Sequence, residues 1–207
     1  SKVGAGARKC LADRGISDAS IETFGIGLAP AGWRNLLEYM GRNGFSSRQA
    51  VAAGLAKPRS GGAGGDGAYD VFRGRIVFPI RTPGGGIAGF GGRIFGGEED
   101  DNAPKYLNSP DTPVFRKNRI LYGLHESKET IRGERTALIV EGYFDVIALH
   151  QHGIKTAVAS MGTALTSDHV GSLRREGFCE TLVFCFDPDA AGEGAARRGG
   201  AMLLDTY

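Results

Sequence analysis

The sequence predicts an α/β protein in two parts: an N-terminal mixed α+β subdomain over residues 1–120, then an α/β domain with a mainly parallel central sheet over 121–207. Three observations predict it. From residue 136, the apolar runs TALIVEG, KTAVAS and TLVFCFD each lead into a helical pattern. Repeated β-α units with near-continuous apolar strands build a parallel sheet covered on both faces. Upstream, RIVFPIR (75–81) and GIAGFGGRIF (86–95) flank TPGGG and read as a hairpin. Charge also divides: residues 1–120 hold 17 Lys+Arg against 11 Asp+Glu, and residues 121–207 hold 8 against 12. That asymmetry suits a polyanion on one side and cations on the other, unless it is a chance imbalance.

In order, Ala7 to Arg14 is a helix ended by Gly15, and Ser17 caps a second helix over Asp18–Phe24. Trp33, Leu36, Leu37 and Met40 recur at helical spacing and are expected in the core. KPRSGGAGGDGA (57–68) is a loop or linker. In the hairpin, Gly84, Gly86 and Gly89 match a dinucleotide fingerprint literally, but a strand follows where that motif needs a helix. GGEEDDNAPKYLNSPDTP (96–113) is too long to be only a connection and is a functional candidate. YFDVIALHQHG is the helix after the first parallel strand. SDHVGSLRRE follows the second, capped by Ser167, and AAGEGAARRGGAMLL follows the third.

Composition narrows the function classes. No apolar run is long enough to span a bilayer, and SKVGAGARKC lacks the apolar segment of a signal peptide. Cys10, Cys179 and Cys185 form no CxxC pair, and His150-x-His152 alone is a weak metal signal. These features point to a reducing, cytoplasmic setting, with no membrane partner and no structural zinc in this stretch.

The chemistry sits at the strand ends. Ligands of parallel α/β sheets bind beyond the carboxyl ends of the strands. Glu141 closes the ALIVE strand, Asp187 and Asp189 close VFCFD, and Asp145 opens the helix after Glu141. Residues two apart in extended chain share a face, so Asp187 and Asp189 are expected to point together. Crowded carboxylates resist ionising together, and a hard divalent cation, Mg²⁺ or Mn²⁺, relieves that cost. A lone strand-end Asp, by contrast, is commonly a helix N-cap.

IVEGYFD, ASMGTALT and CFDPDAAG together resemble a Toprim domain. FRGRIVFPIR, GFGGRIF, PKYLNSPDTPVFRKNRILYGL and RGISDASIETFGIGLAPAGW resemble the RNA-polymerase core of bacterial DnaG-type primases, and the resemblance runs from about Ala7 to Met202. It implies metal-dependent nucleotidyl transfer, making short RNA primers from ribonucleoside triphosphates on a single-stranded DNA template. It implies Glu141, Asp187 and Asp189 as catalytic, and the same three with Asp145 as metal ligands. Arg93, Lys105 and Asn108 match the basic and polar residues of its template and nucleotide groove, flanked by Arg73, Arg75 and Arg81. Tyr106 is either a base-stacking platform or a packed loop aromatic. Arg116, Lys117 and Arg119 read as a solvated charged face. Pro188 departs from the glycine of many relatives. The family's zinc-binding domain, later acids, helical bundle and helicase-binding domain have no counterpart here, so the chain is expected to be a fragment, weakly active or inactive alone, that meets a replicative helicase only through a domain it lacks.

Other readings stay open. A Toprim nuclease or recombination-type DNA-binding protein would use the same acids. A phosphohydrolase would use Asp187 as nucleophile, though Ala191 stands where such motifs carry Thr or Val. A fragment that binds nucleic acid without catalysis is the third.

Overall fold

The computed structural model describes residues 2–59, 67–95, 103–177 and 179–206. The chain divides into two compact units, Ser1–Pro79 with Gly89–Phe115, and Ile80–Ala88 with Arg116–Tyr207.

The first unit opens with α1 (Lys2–Ala12) and α2 (Asp18–Phe24). Ser17 caps α2 through the Ser20 N–H, and Gly25 ends it in the left-handed region. After β1 (Gly27–Ala29) come α3 (Asn35–Arg42) and α4 (Ser47–Ala52). Helix α4 starts with a capping box between Ser46 and Gln49. Helix α3 lacks a side-chain cap of its own. Asp70, only 1% exposed, reaches back across the fold and accepts the N–H groups of Leu36 (2.7 Å) and Leu37 (3.1 Å).

Of the four residues expected in the core here, Leu37 is buried and packs with Ala50, Ala56 and Ala68, with Met40 against them. Trp33 breaks the expectation: it is 55% exposed. It precedes α3, so helical spacing does not govern where it points.

Strands β2 (Ala56–Pro58) and β3 (Ala68–Asp70) pair antiparallel, so both ends of the expected 57–68 loop are a ribbon; its middle, 60–66, lies outside the described residues. β4 (Arg75–Arg81) and β5 (Ile87–Ile94) form the expected hairpin. Its turn closes through Thr82 N–H to Gly86 O (2.8 Å), with Gly85 at φ 93°, a conformation glycine enters without Cβ strain. Within the 96–113 segment, 96–102 lie outside the described residues, but Tyr106–Asn108 is a strand, β6. Sheet order is β1-β4-β5-β6. Ile76, Phe78 and Ile80 are fully buried along β4.

The second unit carries α5 (Leu124–Glu134), β7 (Thr136–Val140), α6 (Tyr143–Gln151), β8 (Ala157–Ala159), α7 (Ser167–Gly177), β9 (Thr181–Phe184) and α8 (Ala190–Thr206). The sheet is parallel, in order β8-β7-β9. Central β7 is buried against Leu121, Leu124, Ile131 and Leu173. Two expectations are corrected. β9 is not covered on both faces: it is an edge strand whose residues alternate between exposed and half-buried, with Val183 43% exposed. And Ser167 is the first residue of α7, not its cap. Thr166 caps instead, its Oγ1 accepting the His169 N–H at 3.2 Å. Among the described residues, no helix is long and apolar enough to cross a membrane.

Candidate functional site

The acidic site grows from two adjacent parallel strands. β7 ends at Val140, so Glu141 is the next residue, above the sheet's carboxyl edge. β9 pairs with β7 up to Phe184, and Cys185 N–H still bonds Ile139 O at 2.9 Å. Asp187 and Asp189 lie past that point, in the turn into α8, not in extended chain. Pairing of the two strands brings Asp187 beside Glu141, and the Asp187 N–H donates to Glu141 Oε1 at 3.1 Å. Asp145, in the first turn of α6, accepts the Gly142 N–H at 2.9 Å through Oδ2. Burial pushes its carboxyl above the ordinary value; the Gly142 bond opposes this, and the charges of Asp187 and Glu141 add to it. Glu141, Asp145 and Asp187 therefore share one electrostatic neighbourhood.

Asp189 does not follow Asp187 in extended chain, the geometry from which a shared face was expected. The turn folds back, with Asp189 N–H to Asp187 O at 2.8 Å. Its Oδ1 accepts the Gly192 N–H at 2.8 Å, capping the start of α8. Gly192 is required here, because a Cβ would run into the Asp187 carbonyl oxygen. An open cavity lined by Phe184, Phe186, Asp187, Asp189 and Glu193 lies over this turn.

The sequence implies a divalent metal at these acids. The donors fit it in kind: they are hard carboxylate oxygens, and Asp145 resists ionising, through burial first and then through the charges of Asp187 and Glu141. Their side chains do not converge on it. Among the described residues, no three Asp, Glu, His or Cys side chains gather around one point. The oxygens instead accept backbone N–H groups at Asp187, Gly142 and Gly192, and those bonds are what an ion would compete with.

The cationic candidates separate into three kinds. Arg93 and Asn108 sit on the β5–β6 ladder, where Arg93 pairs with Tyr106 and Gly91 with Asn108. The strand pleat puts Arg93, Tyr106 and Asn108 in one row, with the Arg93 guanidinium 6.0 Å from the Tyr106 ring centre. Exposed Lys105 precedes the strand and falls out of that row by the same alternation. Arg73 lies over the Trp33 ring at 4.2 Å and near Tyr69 at 5.3 Å.

Arg75 and Arg81 are not surface cations. Arg75 is 4% exposed, and its Nη1 donates to the Pro104 carbonyl at 3.0 Å, holding the segment before β6 against β4. Arg81 pairs with Glu126 (3.4 Å) and donates to Gly85 O (3.1 Å) at the hairpin turn. Of the expected charged face, Arg119 pairs with Asp168 at 2.9 Å, and burial lowers the Lys117 pKa. Residues the sequence did not single out also matter. Tyr69 and Lys57 face each other across the β2–β3 ribbon, a pairing with no local sequence signal.

Comparison with known proteins fits this geometry. Residues 1–128 match the DNA primase catalytic core, N-terminal domain, and residues 135–206 match the Toprim domain. The DNA primase of Streptomyces coelicolor is 43% identical over 194 residues, covering 92% of this chain and 29% of that protein. The RNA polymerase domain of Mycobacterium tuberculosis primase DnaG superposes with a TM-score of 0.86 at 37% identity, covering 96% of this chain and 64% of that one. A DnaG primase catalytic domain solved bound to single-stranded DNA gives 0.83 at 41%, covering 99% and 61%. The chain thus spans less than a third of that Streptomyces relative and under two thirds of either solved domain. With its hairpin-bearing antiparallel sheet followed by acids at the edge of a parallel one, the chain belongs to the family of the DNA primase catalytic core, with a Toprim domain as its second part.

Proposed function

We propose that this chain is the nucleotidyl-transfer core of a primase, joining ribonucleotides on a single-stranded DNA template with Mg²⁺ or Mn²⁺. The observation that carries the reading is that Glu141, Asp145 and Asp187 share one electrostatic neighbourhood at the carboxyl edge of a parallel sheet, with the Asp187 N–H bonded to Glu141. In this reading residues 1–120 handle template and nucleotide, and residues 121–207 hold the metal through Glu141, Asp145, Asp187 and Asp189. A bound metal would take phosphate oxygens and offset the charge that develops on them.

The protein's own groups prepare that event. A primer 3′-hydroxyl attacks the α-phosphate, one P–O bond forms, and the bond to pyrophosphate breaks. The Asp187 N–H bond to Glu141 fixes the DxD turn against β7, so the two strand ends move as one. Arg73, Arg93 and Lys105 neutralise template or triphosphate charge, and Asn108 hydrogen-bonds sugar or phosphate. Arg75 and Arg81 shape this surface from within. Ribonucleoside triphosphates, an RNA primer and, through a region outside the matched segment, a replicative helicase are the partners, and the cytoplasm is where they meet.

The test is Mn²⁺ binding by electron paramagnetic resonance, together with incorporation of labelled ribonucleotide on single-stranded template. Glu141→Gln and Asp187→Asn should each weaken Mn²⁺ binding at least tenfold and abolish incorporation. Unaltered Mn²⁺ binding in carboxamide variants of all four acids would overturn the reading.

A further inference from the structure

What fixes Glu141 and Asp145 lies behind them in the second unit. Tyr143, the first residue of α6, stands between the two acids in sequence and is only 3% exposed. Its ring meets the Tyr122 ring edge to face, with centres 4.7 Å apart. Tyr122 is buried and outside the named strands, yet it pairs with β8 as an isolated antiparallel bridge. Its N–H donates to the Ala159 carbonyl at 2.9 Å, and its carbonyl accepts the Ala159 N–H at 3.0 Å. Ala159 ends β8 and lies opposite Val140, which ends β7. One residue thus holds the end of β8 with its backbone and the start of α6 with its ring.

The surroundings leave this arrangement little freedom. Gly123 follows at φ 82°, and a Cβ there would stand 2.7 Å from Val146 Cγ1, so α6 lies directly against the segment. Ser127 Oγ, in α5, donates to the Ala157 carbonyl at 2.9 Å and ties β8 as well. Past Ala159, the Ser160 and Thr163 hydroxyls each donate to the other residue's carbonyl at 2.7 Å. Between them Met161 is buried at φ 58°, a left-handed conformation that a non-glycine residue keeps only where its surroundings hold it. The end of β8 is therefore a fixed point, and Tyr122 is bonded to it.

We infer that Tyr122 is a positioning residue for the acids. Between the end of β7 at Val140 and the start of α6 at Tyr143 lie only Glu141 and Gly142. Sheet pairing fixes the first end of that link, and the Tyr122 ring fixes the second, so Glu141 is held from both sides. Asp145 lies in the first turn of α6 and moves with Tyr143. Asp187 follows Glu141 through its N–H bond to Oε1. The contact is between rings, so phenylalanine serves as well as tyrosine at this position. That the held acids bind a metal rests on the primase reading, and the test separates the two.

Two amides report the site without metal: Asp187 N–H, bonded to Glu141, and Gly142 N–H, bonded to Asp145. In metal-free protein, Tyr122→Leu should move both amide resonances by nuclear magnetic resonance. It should also weaken Mn²⁺ binding about threefold to tenfold, the worth of an aromatic pair, by electron paramagnetic resonance. Tyr122→Phe should restore both. Ile131→Val, which thins the core packed on β7, should lower thermal stability and change neither. Unmoved amides with unchanged Mn²⁺ affinity in a folded Tyr122→Leu chain would overturn the positioning role and leave the primase reading standing. Equal changes from Ile131→Val would also overturn it, by tracing them to lost stability. Moved amides in a protein whose parent binds no Mn²⁺ would uphold the positioning role and overturn the metal reading. If Tyr122→Leu unfolds by circular dichroism, Tyr143→Leu removes the same ring pair and is held to the same outcomes. Tyr122→Phe decides even if both unfold, because Mn²⁺ binding weakened threefold or more by it would assign the effect to the hydroxyl and overturn the ring-pair account.

Discussion

The two units place charge by opposite rules. In the first, cations lie along antiparallel strands or beside them, and neighbours a few residues apart have different fates. Arg93 shares a row with Tyr106, Arg73 covers Trp33, and Arg75 is sealed inside, bracing a loop. In the second, acids stand beyond the ends of parallel strands, where the sheet's own pairing collects them from residues 46 apart in sequence. A ladder thus distributes side chains over two faces and an interior, whereas strand ends of a parallel sheet gather them at one edge. Charge in the first unit is partly structural. Charge in the second is concentrated, and the backbone turns that carry it are under tight constraint.

The sharpest way to break this contrast is at Gly192. With Asp187's carbonyl oxygen where a Cβ would go, Gly192→Ala should destabilise the second unit by about 3 kcal/mol and displace Asp187 from Glu141. Mn²⁺ binding should fall with it, while unfolding of the first unit, followed by Trp33 emission, stays in place. A variant with unchanged metal affinity would show that the acids do not depend on this turn.

In the first unit the largest losses should come from charges that never meet solvent. Asp70→Ala strips α3 of its cap and should cost about 2 kcal/mol by denaturant titration. Arg75→Ala should cost a similar amount, about 2 kcal/mol, because it leaves the Pro104 carbonyl without its charged donor. Lys105→Ala should do the reverse. Exposed and outside the ladder row, it should change stability by less than about 0.5 kcal/mol, yet weaken single-stranded DNA binding and lower its salt slope by about 1. If Arg75→Ala altered the salt slope and left stability alone, the division between bracing and binding cations would be wrong.

That division also marks what can be read from sequence. The β-α units were legible because period-2 and period-3.6 apolar patterns are local: TALIV is β7 and YFDVIALHQ is α6. Glu141 and Asp187 were legible as an edge site because parallel topology makes the strands' carboxyl ends coincide. The burial of Arg75, the exposure of Trp33 and the ribbon pairing Lys57 with Tyr69 were not, since each depends on contacts from distant segments. The local geometry at Asp189 was less legible, for a subtler reason. Extended geometry would have aligned it with Asp187, but β9 ends at Phe184 and the chain bends at Pro188, between the two acids.

The smallest expected effect separates the units by pH. All four histidines, at 125, 150, 152 and 169, belong to the second unit. His169 is fully buried, accepting the Thr166 N–H at Nδ1 (3.2 Å) and facing the Lys117 carbonyl with Nε2 (3.0 Å). Burial lowers its pKa below the ordinary 6.5, outweighing the Lys117 bond and the Asp168 charge; burial lowers that of His150 likewise. A depressed folded pKa means the unfolded chain takes up its proton first. The stabilisation is therefore complete above about pH 6.5 and is lost as pH falls through the interval from there down to the folded pKa. Asp145, raised by burial, acts with the opposite sign in the more acid carboxylate range. Between pH 7.5 and 5.5, hydrogen exchange should therefore quicken in α7 and β8 and remain steady in β4 and α2. His169→Gln should start less stable at pH 7.5, having lost the ring's two bonds, and the gap to the parent should narrow as pH falls, since glutamine has no proton to gain. A gap that stayed constant, or exchange that quickened equally in both units, would mean that His169 is not what makes the second unit acid-sensitive.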